Sequence, residues 1–234
     1  MPVTDIIVYA TLLLAGVWSY TSGKLTIAGS TTGAITGFII FKGAGLACFI
    51  MLTFFFLIGS AATKWQRHKK AVMNASDHNE GRRTAWQVVA NSGVAGILAL
   101  LAFWRNEYLP IVQLMIAGSF AAAMADTLSS ELGTVYGRHF YNIISLKKDK
   151  RGLDGVVSLE GTVFGIAGAF AIATIYALFF GWNILALWIV IAGFAGNVFD
   201  SVLGATLELK GWMGNNLVNF LNTAVGAGVC LMLT

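Results

Sequence analysis

The chain has 234 residues, of which 57% are hydrophobic and only 11% are charged, with a formal net charge of +4 at pH 7. Its mean hydropathy is +0.74. This composition excludes a disordered chain and an ordinary soluble domain, because too few polar residues are present to cover a water-exposed surface. It predicts an all-α, polytopic membrane protein, with residues 1–234 forming a single integral membrane domain.

Seven apolar stretches are long enough to cross a bilayer as helices, which takes about 20 residues. In chain order they are residues 4–18, 44–62, 88–104, 109–127, 162–180, 184–202 and 217–233. A weaker stretch rich in glycine and threonine, residues 30–41, is either a short eighth helix or a re-entrant segment. The first stretch has no basic region before it and no Ala-x-Ala cleavage site, so we expect it to be retained as a helix.

The basic residues are distributed unequally between the two sides of this bundle of seven or eight helices. If residues 30–41 span, thirteen of the 15 lysines and arginines fall on one side. These thirteen are Lys24, Lys64, Arg67, Lys69, Lys70, Arg82, Arg83, Arg138, Lys147, Lys148, Lys150, Arg151 and Lys210. The positive-inside rule makes this side cytoplasmic. It also carries the longer loops, at about 63–87 and 128–159, and long loops commonly carry function.

Acidic residues lie at the ends of three apolar stretches, all on the basic side. Asp126 and Glu131 end one stretch, Asp200 ends another, and Glu160 opens a third, while Glu208 lies on the same side. An ionised carboxylate in or beside hydrocarbon is costly unless it faces protein, water, a partner charge or a metal ion. We therefore expect Asp126, Glu131, Glu160 and Asp200 to form one catalytic site.

Two explanations account for acids and bases on one side. The basic loops contact anionic lipid headgroups, or they bind a polyanion while the acids hold a divalent metal ion against it. The clustering favours the second explanation, with Asp126, Glu131 and Asp200 as the candidate metal ligands. A solvated helix end and a polar contact between helices are the alternatives for these acids.

Polar residues accompany the acids at helical spacing. Asn197 and Ser201 lie four residues apart and flank Asp200. The last predicted helix carries several amides, and three of them share one face: Asn215, Asn219 and Asn222. Their side chains either form hydrogen bonds with neighbouring helices or line a polar cavity. We include Asn216 and Asn219 among the candidate substrate-binding residues.

Two adjacent arginines precede a predicted helix. Arg82 and Arg83 come just before Gln87 and Asn91, an arrangement suited to bidentate phosphate recognition at the start of a helix. An ordinary anchor on the basic side is the alternative. Lys64, at the end of an earlier stretch, is a further candidate for phosphate binding.

Some other function classes have little support. The series Gly29, Gly33 and Gly37 and the pair Gly161 and Gly165 are expected to serve close helix packing, and no Gly-Lys-Ser/Thr follows them, so they do not form a P-loop. The histidines show no metal-ligand spacing, which argues against zinc. No nucleic-acid-binding motif is present.

Five segments, taken in this order, resemble the DUF92/TMEM19 family of membrane proteins. They are residues 59–64 (GSAATK), 81–91 (GRRTAWQVVAN), 125–133 (ADTLSSELG), 158–162 (SLEGT) and 197–201 (NVFDS). The resemblance covers nearly the whole chain. That family includes the plant and cyanobacterial phytyl-phosphate kinase, which converts an isoprenyl monophosphate into the diphosphate with a nucleoside triphosphate. A looser similarity reaches phytol kinases, dolichol kinases and CDP-diacylglycerol synthase.

The resemblance implies a membrane-embedded isoprenyl-phosphate kinase that uses Mg²⁺ and CTP or another nucleoside triphosphate. Asp126 and Asp200, with Glu131 or Glu160, would then hold Mg²⁺ on the nucleotide phosphates. The residues expected to bind phosphate or substrate are Lys64, Arg82, Arg83, Gln87, Asn91, Asn197, Ser201, Asn216 and Asn219. The partners are an isoprenyl monophosphate, a nucleotide and the lipid bilayer, and a homodimer is left open.

Other functions remain alternatives at this stage. One is a CTP-dependent isoprenoid alcohol kinase or a cytidylyltransferase-like enzyme. Another is a transporter or lipid flippase, for which acids or broken helices near the bilayer centre would be typical.

Overall fold

Seven α-helices form a bundle in a computed structural model that describes residues 2–66 and 82–234. The helices are α1 (Val3–Thr21), α2 (Ile27–Lys64), α3 (Ala85–Trp104), α4 (Leu109–Tyr136), α5 (Leu159–Phe180), α6 (Ile184–Leu203) and α7 (Asn215–Met232). Between α4 and α5, β1 (Tyr141–Asn142) pairs antiparallel with β2 (Val156–Val157). Helices α1 to α6 are long and apolar enough to cross a membrane. This confirms the predicted all-α polytopic bundle.

Helix α2 is a hairpin of two helical arms that turns at Gly45. Gly45 has φ 86° and ψ −175°, a conformation that glycine adopts without steric cost. The arms pack against each other, since a Cβ added at Gly37 would lie 3.5 Å from Leu52 and 3.6 Å from Phe49. Residues 30–41 therefore belong to the first arm, residues 27–44, which is about 27 Å long at 1.5 Å per residue.

Contacts between loops show which helix ends share a side of the bundle. Lys64 at the end of α2 donates to the carbonyl of Ser22, over 3.2 Å, and Trp65 donates to the hydroxyl of Tyr136 at the end of α4, over 2.8 Å. At the opposite side, Lys42 pairs with Asp5 over 3.0 Å. The loops that carry most of the described basic residues thus lie together, at what we call the basic end.

Helix α4 is the central helix of the bundle. It packs against α2, α3, α5, α6 and α7, and its run Ala121, Ala122, Ala123, Met124 and Ala125 is fully buried. Small side chains let neighbouring helices approach closely. The polar side chains of Ser119 and Thr127, which flank this run, are likewise buried inside the protein.

Most of the glycines that we predicted to allow close helix packing do lie against a neighbouring helix. Gly161 and Gly165 of α5 lie against α4, where an added Cβ would come within 2.8 Å of the Ser129 carbonyl and 3.0 Å of the Ala125 carbonyl, respectively. Gly33 differs from this expectation, because a Cβ there would have no neighbour within 4 Å. It faces open space inside the protein.

Helix α4 continues to Tyr136, although we expected a loop to begin at residue 128. The extra turns are held against α5, since a Cβ added at Gly133 would lie 2.8 Å from Gly161. Asp126 therefore lies within a helix and not at its end, which corrects the sequence interpretation. Most of the other predicted loop, 63–87, falls on residues 67–81, which lie outside the described residues.

The loop of residues 137–158 docks onto a π-helical turn (Gly204–Glu208) that follows α6. Gly155 makes the contact with φ 72°, and an added Cβ would overlap Ala205. Gly211 has nearly the same φ, 71°, but nothing lies within 4 Å of its added Cβ. Substitutions at these two glycines therefore differ only in the contact with the π-helical turn, since the backbone strain is the same at both positions.

We expect Gly155→Ala to destabilise the protein more than Gly211→Ala. Both variants place a side chain in the left-handed region, at about 1–2 kcal/mol, but Gly155→Ala adds overpacking of about 1–3 kcal/mol. Thermal unfolding in detergent measures the difference. Equal shifts in Tm for the two variants would argue against the docked loop.

Candidate active site

The centre of the site is a pair of carboxyl groups from two helices. Asp126 of α4 and Asp200 of α6 are close enough to share a hydrogen bond. The helices approach through small residues, since a Cβ added at Gly196 of α6 would lie 2.5 Å from Ala122. Two ionised carboxylates this close repel each other, so the arrangement favours a shared proton or a bound cation.

Three further carboxylates surround this pair. Glu131 interacts electrostatically with Asp126, while Glu208 and Asp154 interact with Asp200. Burial raises the pKa of Asp154, which lies in the docked loop. We call Asp126, Glu131, Asp154, Asp200 and Glu208 the acid cluster. It gathers residues from α4, α6, the π-helical turn and the docked loop at the basic end.

The acid cluster was only partly predicted. Asp126, Glu131 and Asp200 were singled out, whereas Glu208 was placed on the correct side without a role and Asp154 was missed. Asp154 precedes Gly155, and an Asp-Gly pair marks a turn in a sequence. The Asp-Gly pair predicts a turn, but it does not predict that this turn packs against the π-helical turn after α6.

The donor set of the pair suits a hard divalent cation. Within residues 2–66 and 82–234, no three His, Cys, Asp or Glu side chains form a ready-made metal site. Mg²⁺ in phosphate-transfer sites is usually held by one or two carboxylates together with waters and the phosphates themselves. The Oδ1 atom of Asp200 is buried and has no hydrogen-bond partner. Asp126 and Asp200 therefore fit Mg²⁺ bound jointly with a phosphate ligand.

Arg83 brings a positive charge to the acid cluster. Its Nη2 atom lies 3.4 Å from the Thr63 hydroxyl, and its guanidinium lies 5.8 Å from the Phe55 ring. Burial lowers the pKa of Arg83, and the nearby Glu131 carboxylate raises it. An arginine remains protonated under such opposing shifts, so Arg83 supplies a fixed positive charge.

The backbone of Arg83 is held in place by the loop between α1 and α2. Its N–H donates to the Lys24 carbonyl over 2.9 Å, and its carbonyl accepts from the Thr26 N–H over 3.1 Å. Gly29 allows this close approach, since an added Cβ would lie 2.7 Å from the Arg83 carbonyl oxygen. These contacts hold the backbone at Arg83, and its side chain lies against Gly59 and Thr63 of α2.

Of the three predicted phosphate-binding bases, Arg83 interacts electrostatically with a member of the acid cluster, Glu131. Arg82 is exposed and lies over Gly23, where an added Cβ would be 3.6 Å from its Nε atom. Lys64 is also exposed and donates to Ser22. Lys64 and Arg82 thus lie beside the neighbouring residues Ser22 and Gly23, and their assignment to phosphate binding stays a prediction.

Among the described residues, Glu160 is not one of the groups found to interact with the carboxyl pair. It is in the first turn of α5, and its Oε2 atom accepts from the Arg138 N–H over 3.4 Å. This contact holds the start of the loop that follows α4. Glu160 is thus placed as a residue that shapes the loop, whereas the sequence grouped it with Asp126 and Asp200.

The polar residues of α6 flank Asp200, with Asn197 about one turn before it and Ser201 directly after it. Asn197 is buried against Gly165 of α5, where an added Cβ would lie 3.0 Å from its Nδ2 atom. Ser201 donates to the Asn197 carbonyl over 3.1 Å. The contact of Asn197 with Gly165 joins the end of α6 to α5, whereas the Ser201 bond lies within α6.

The amides of α7 differ in their surroundings. Asn216 is exposed, Asn219 is half-buried, and Asn222 is fully buried. Both polar side-chain atoms of Asn222 lack a hydrogen-bond partner. Buried amides without partners are uncommon, so Asn222 favours the polar-cavity alternative over a simple bond between helices.

Gln87 and Asn91 line a second feature, a cleft between α1, α2 and α3 with a cavity volume of about 100 Å³. Gln87 caps α3 by accepting from the Thr84 N–H over 2.8 Å, and Asn91 donates to the Gln87 carbonyl over 2.9 Å. Arg83 lines the same cleft. Arg83 therefore links the cleft to the acid cluster, through its interaction with Glu131.

Comparison with known proteins gives the family of the chain. Residues 10–227 match the family model described as integral membrane protein DUF92. The chain is 29% identical to Protein VTE6, chloroplastic, of Arabidopsis thaliana, over 89% of this chain and 65% of that protein. The chain also matches an uncharacterized membrane protein of Synechocystis, with 30% identity over 84% of this chain and 78% of that protein. It matches another of Methanocaldococcus jannaschii with 32% identity, over 86% of this chain and 82% of that protein. No solved structure matches the chain. The chain belongs to the DUF92 family of integral membrane proteins.

Proposed function

We propose that this protein is a membrane-embedded kinase that transfers a phosphoryl group from a nucleoside triphosphate to an isoprenyl monophosphate. The observation that carries the proposal is the position of Arg83, which lines an apolar cleft and interacts electrostatically with Glu131 of the acid cluster. An acceptor with an apolar tail and an anionic head needs both environments. The resemblance to the family of phytyl-phosphate kinase supports the same substrate class.

Phosphoryl transfer depends mainly on positioning and on neutralising charge. A phosphate-monoester acceptor is already anionic, so no strong general base is needed to activate it. The planar guanidinium of Arg83 has five N–H donors and suits bidentate binding of a phosphate. Arg83 is therefore assigned to the acceptor phosphate, with Thr63 accepting one of its hydrogen bonds.

The carboxyl pair has a different role in this proposal. Asp126 and Asp200 would hold Mg²⁺, which when bound neutralises the phosphates of the nucleotide. Glu131 interacts with both Arg83 and Asp126. It keeps the guanidinium beside the pair, so that donor and acceptor phosphates meet in one place.

The proposal is tested with purified protein in detergent or nanodiscs. Phytyl or geranylgeranyl monophosphate is incubated with Mg²⁺ and, in separate reactions, with ATP, CTP, GTP or UTP. Mass spectrometry should detect the prenyl diphosphate. Phosphorylation of the free alcohol alone would favour an isoprenoid alcohol kinase. No diphosphate from any prenyl phosphate, with the protein folded, would overturn the proposal.

We also propose that the basic end faces the cytoplasm, following the positive-inside rule. Ser145 is exposed in the loop at this end, and Glu107 is exposed at the opposite end. Both native cysteines are buried. A membrane-impermeant maleimide should therefore label Glu107→Cys in intact cells and Ser145→Cys only after the membrane is inverted. The reverse pattern would contradict the proposed orientation.

A further inference from the structure

The cleft between α1, α2 and α3 has apolar walls and one charged end. Its lining is predominantly apolar with a few polar groups, as is typical of small-molecule sites. The apolar wall is formed mainly by Leu12, Ala15, Phe49, Leu52, Phe55 and Phe56. Arg83, Gln87 and Asn91 lie together on its α3 side. This polarity suits an amphiphile with an anionic head.

The cleft runs along the helices from the basic end towards the interior of the bundle. On α1 it extends from Ser19 to Thr11, which is roughly 12 Å at 1.5 Å per residue. On the α3 side it extends over a similar length, from Arg83 to Ser92. A ligand with its head at Arg83 would therefore place its tail between the helices, parallel to the lipid chains.

Ser30 provides a second indication of a ligand. It lines the cleft, is only 9% exposed, and its hydroxyl has no hydrogen-bond partner. It follows Gly29, which lies against the backbone of Arg83. The buried hydroxyl is thus at the charged end of the cleft, where an ester or phosphate oxygen would supply the missing partner.

Two glycines show that the cleft is open space. Gly16 of α1 and Gly33 of α2 both line it, and a Cβ added at either would have no neighbour within 4 Å. Helix α1 itself is mostly exposed and packs mainly against α2. A tail can therefore pass from the bilayer between α1 and α2 without crossing the polar end.

We propose that this cleft binds the isoprenoid tail of the acceptor, and that Gly16 and Gly33 leave the room that a long tail requires. The inference rests on the proposed function and adds the place where chain length is selected. With the tail in the cleft, its phosphate lies at Arg83, next to Glu131 and the carboxyl pair. The occupant is a single-chain prenyl phosphate.

Filling the cleft tests the proposal. Gly16→Leu and Gly33→Leu place a side chain in the open space, and leucine is a better helix former than glycine, so the fold is retained. Gly228→Leu in α7 is the matched control, because its added Cβ also has no neighbour within 4 Å and it does not line the cleft. Turnover is measured with geranylgeranyl monophosphate and with the shorter geranyl monophosphate.

We expect the cleft variants to lose at least about tenfold in kcat/KM for geranylgeranyl monophosphate. Their activity on geranyl monophosphate should change much less, and Gly228→Leu should change neither. If the wild type is active and Gly33→Leu keeps the wild-type preference for chain length, the tail does not lie in this cleft. That result would leave the kinase proposal intact.

A binding measurement separates the two proposals. A prenyl monophosphate with a benzophenone on its tail should cross-link to α1 or α2, and geranylgeranyl monophosphate should compete. If the wild type forms no diphosphate but this competition occurs, the kinase proposal fails and the tail site stands. Equal competition by phosphatidic acid would identify the cleft as a general lipid site and overturn the inference.

Discussion

Asp126→Asn is expected to reduce diphosphate formation by at least about 100-fold, the loss typical when a group that stabilises developing charge is removed. Asparagine keeps the shape of the side chain but cannot bind a divalent cation as a carboxylate does. Because Asp126 and Asp200 repel each other when both are ionised, we also expect the Tm of the variant to equal or exceed that of the wild type. Loss of activity without loss of stability is typical of a functional site.

Asp149→Asn is the matched control for this substitution. Asp149 is exposed in the loop at the same end, and its carboxylate accepts from the Lys150 N–H over 2.7 Å. The Asp149→Asn variant should form the diphosphate at a rate near that of the wild type. Full activity in Asp126→Asn would remove Asp126 from the site. Should Asp126→Asn fail to fold, Asp200→Asn examines the other member of the pair.

The adjacent arginines should differ sharply in their effect. Arg83→Gln is expected to lower kcat/KM for the prenyl phosphate by about 10- to 1,000-fold, because a desolvated charge-assisted contact to phosphate is lost. Arg82→Gln should change it by less than about threefold, as for most exposed charges. Steady-state kinetics at saturating nucleotide measures both variants.

Arg83→Lys sharpens this comparison. Lysine keeps the charge but loses the bidentate geometry, so its activity should lie between those of the wild type and Arg83→Gln. Equal losses in the Arg82 and Arg83 variants would indicate that both act through the overall positive charge of the basic end. That outcome would contradict the specific position assigned to Arg83.

The membrane spans were predictable because length and hydropathy determine them directly. Residues 30–41 were harder, because threonines and glycines lower their apolar character. The decisive feature was Gly45, whose φ of 86° turns one helix back on another. A glycine in an apolar stretch does not by itself indicate a turn, so the hairpin could not be distinguished from a re-entrant segment.

The members of the candidate site that are unusual in the sequence by themselves could be predicted. Those that join it only through packing of the docked loop could not. Asp126 and Asp200 stood out because carboxylates are rare beside apolar stretches. Asp154 and Glu208 join them through the contact between Gly155 and Ala205, which no sequence spacing indicates. Arg82 and Arg83 are neighbours in the chain, and only the structure shows that Arg83 lies against Thr63 and Phe55 while Arg82 is exposed.

The position of Asp126 inside α4 also bears on the transporter alternative. Asp126 is well within its helix, but its partner Asp200 is three residues from the end of α6 at Leu203. The pair therefore lies towards the basic end and not at the middle of the bundle. This level suits a reaction between a membrane-bound phosphate and a water-soluble nucleotide.

The most direct test is transfer of labelled phosphate. Wild-type protein and Asp126→Asn are incubated side by side with geranylgeranyl monophosphate, Mg²⁺ and a γ-³²P-labelled nucleoside triphosphate, and the labelled prenyl diphosphate is measured. We predict label in the diphosphate for the wild type when Mg²⁺ is present, and almost none for the variant. No labelled diphosphate from folded wild-type protein with any nucleotide, or equal amounts from both proteins, would contradict the account.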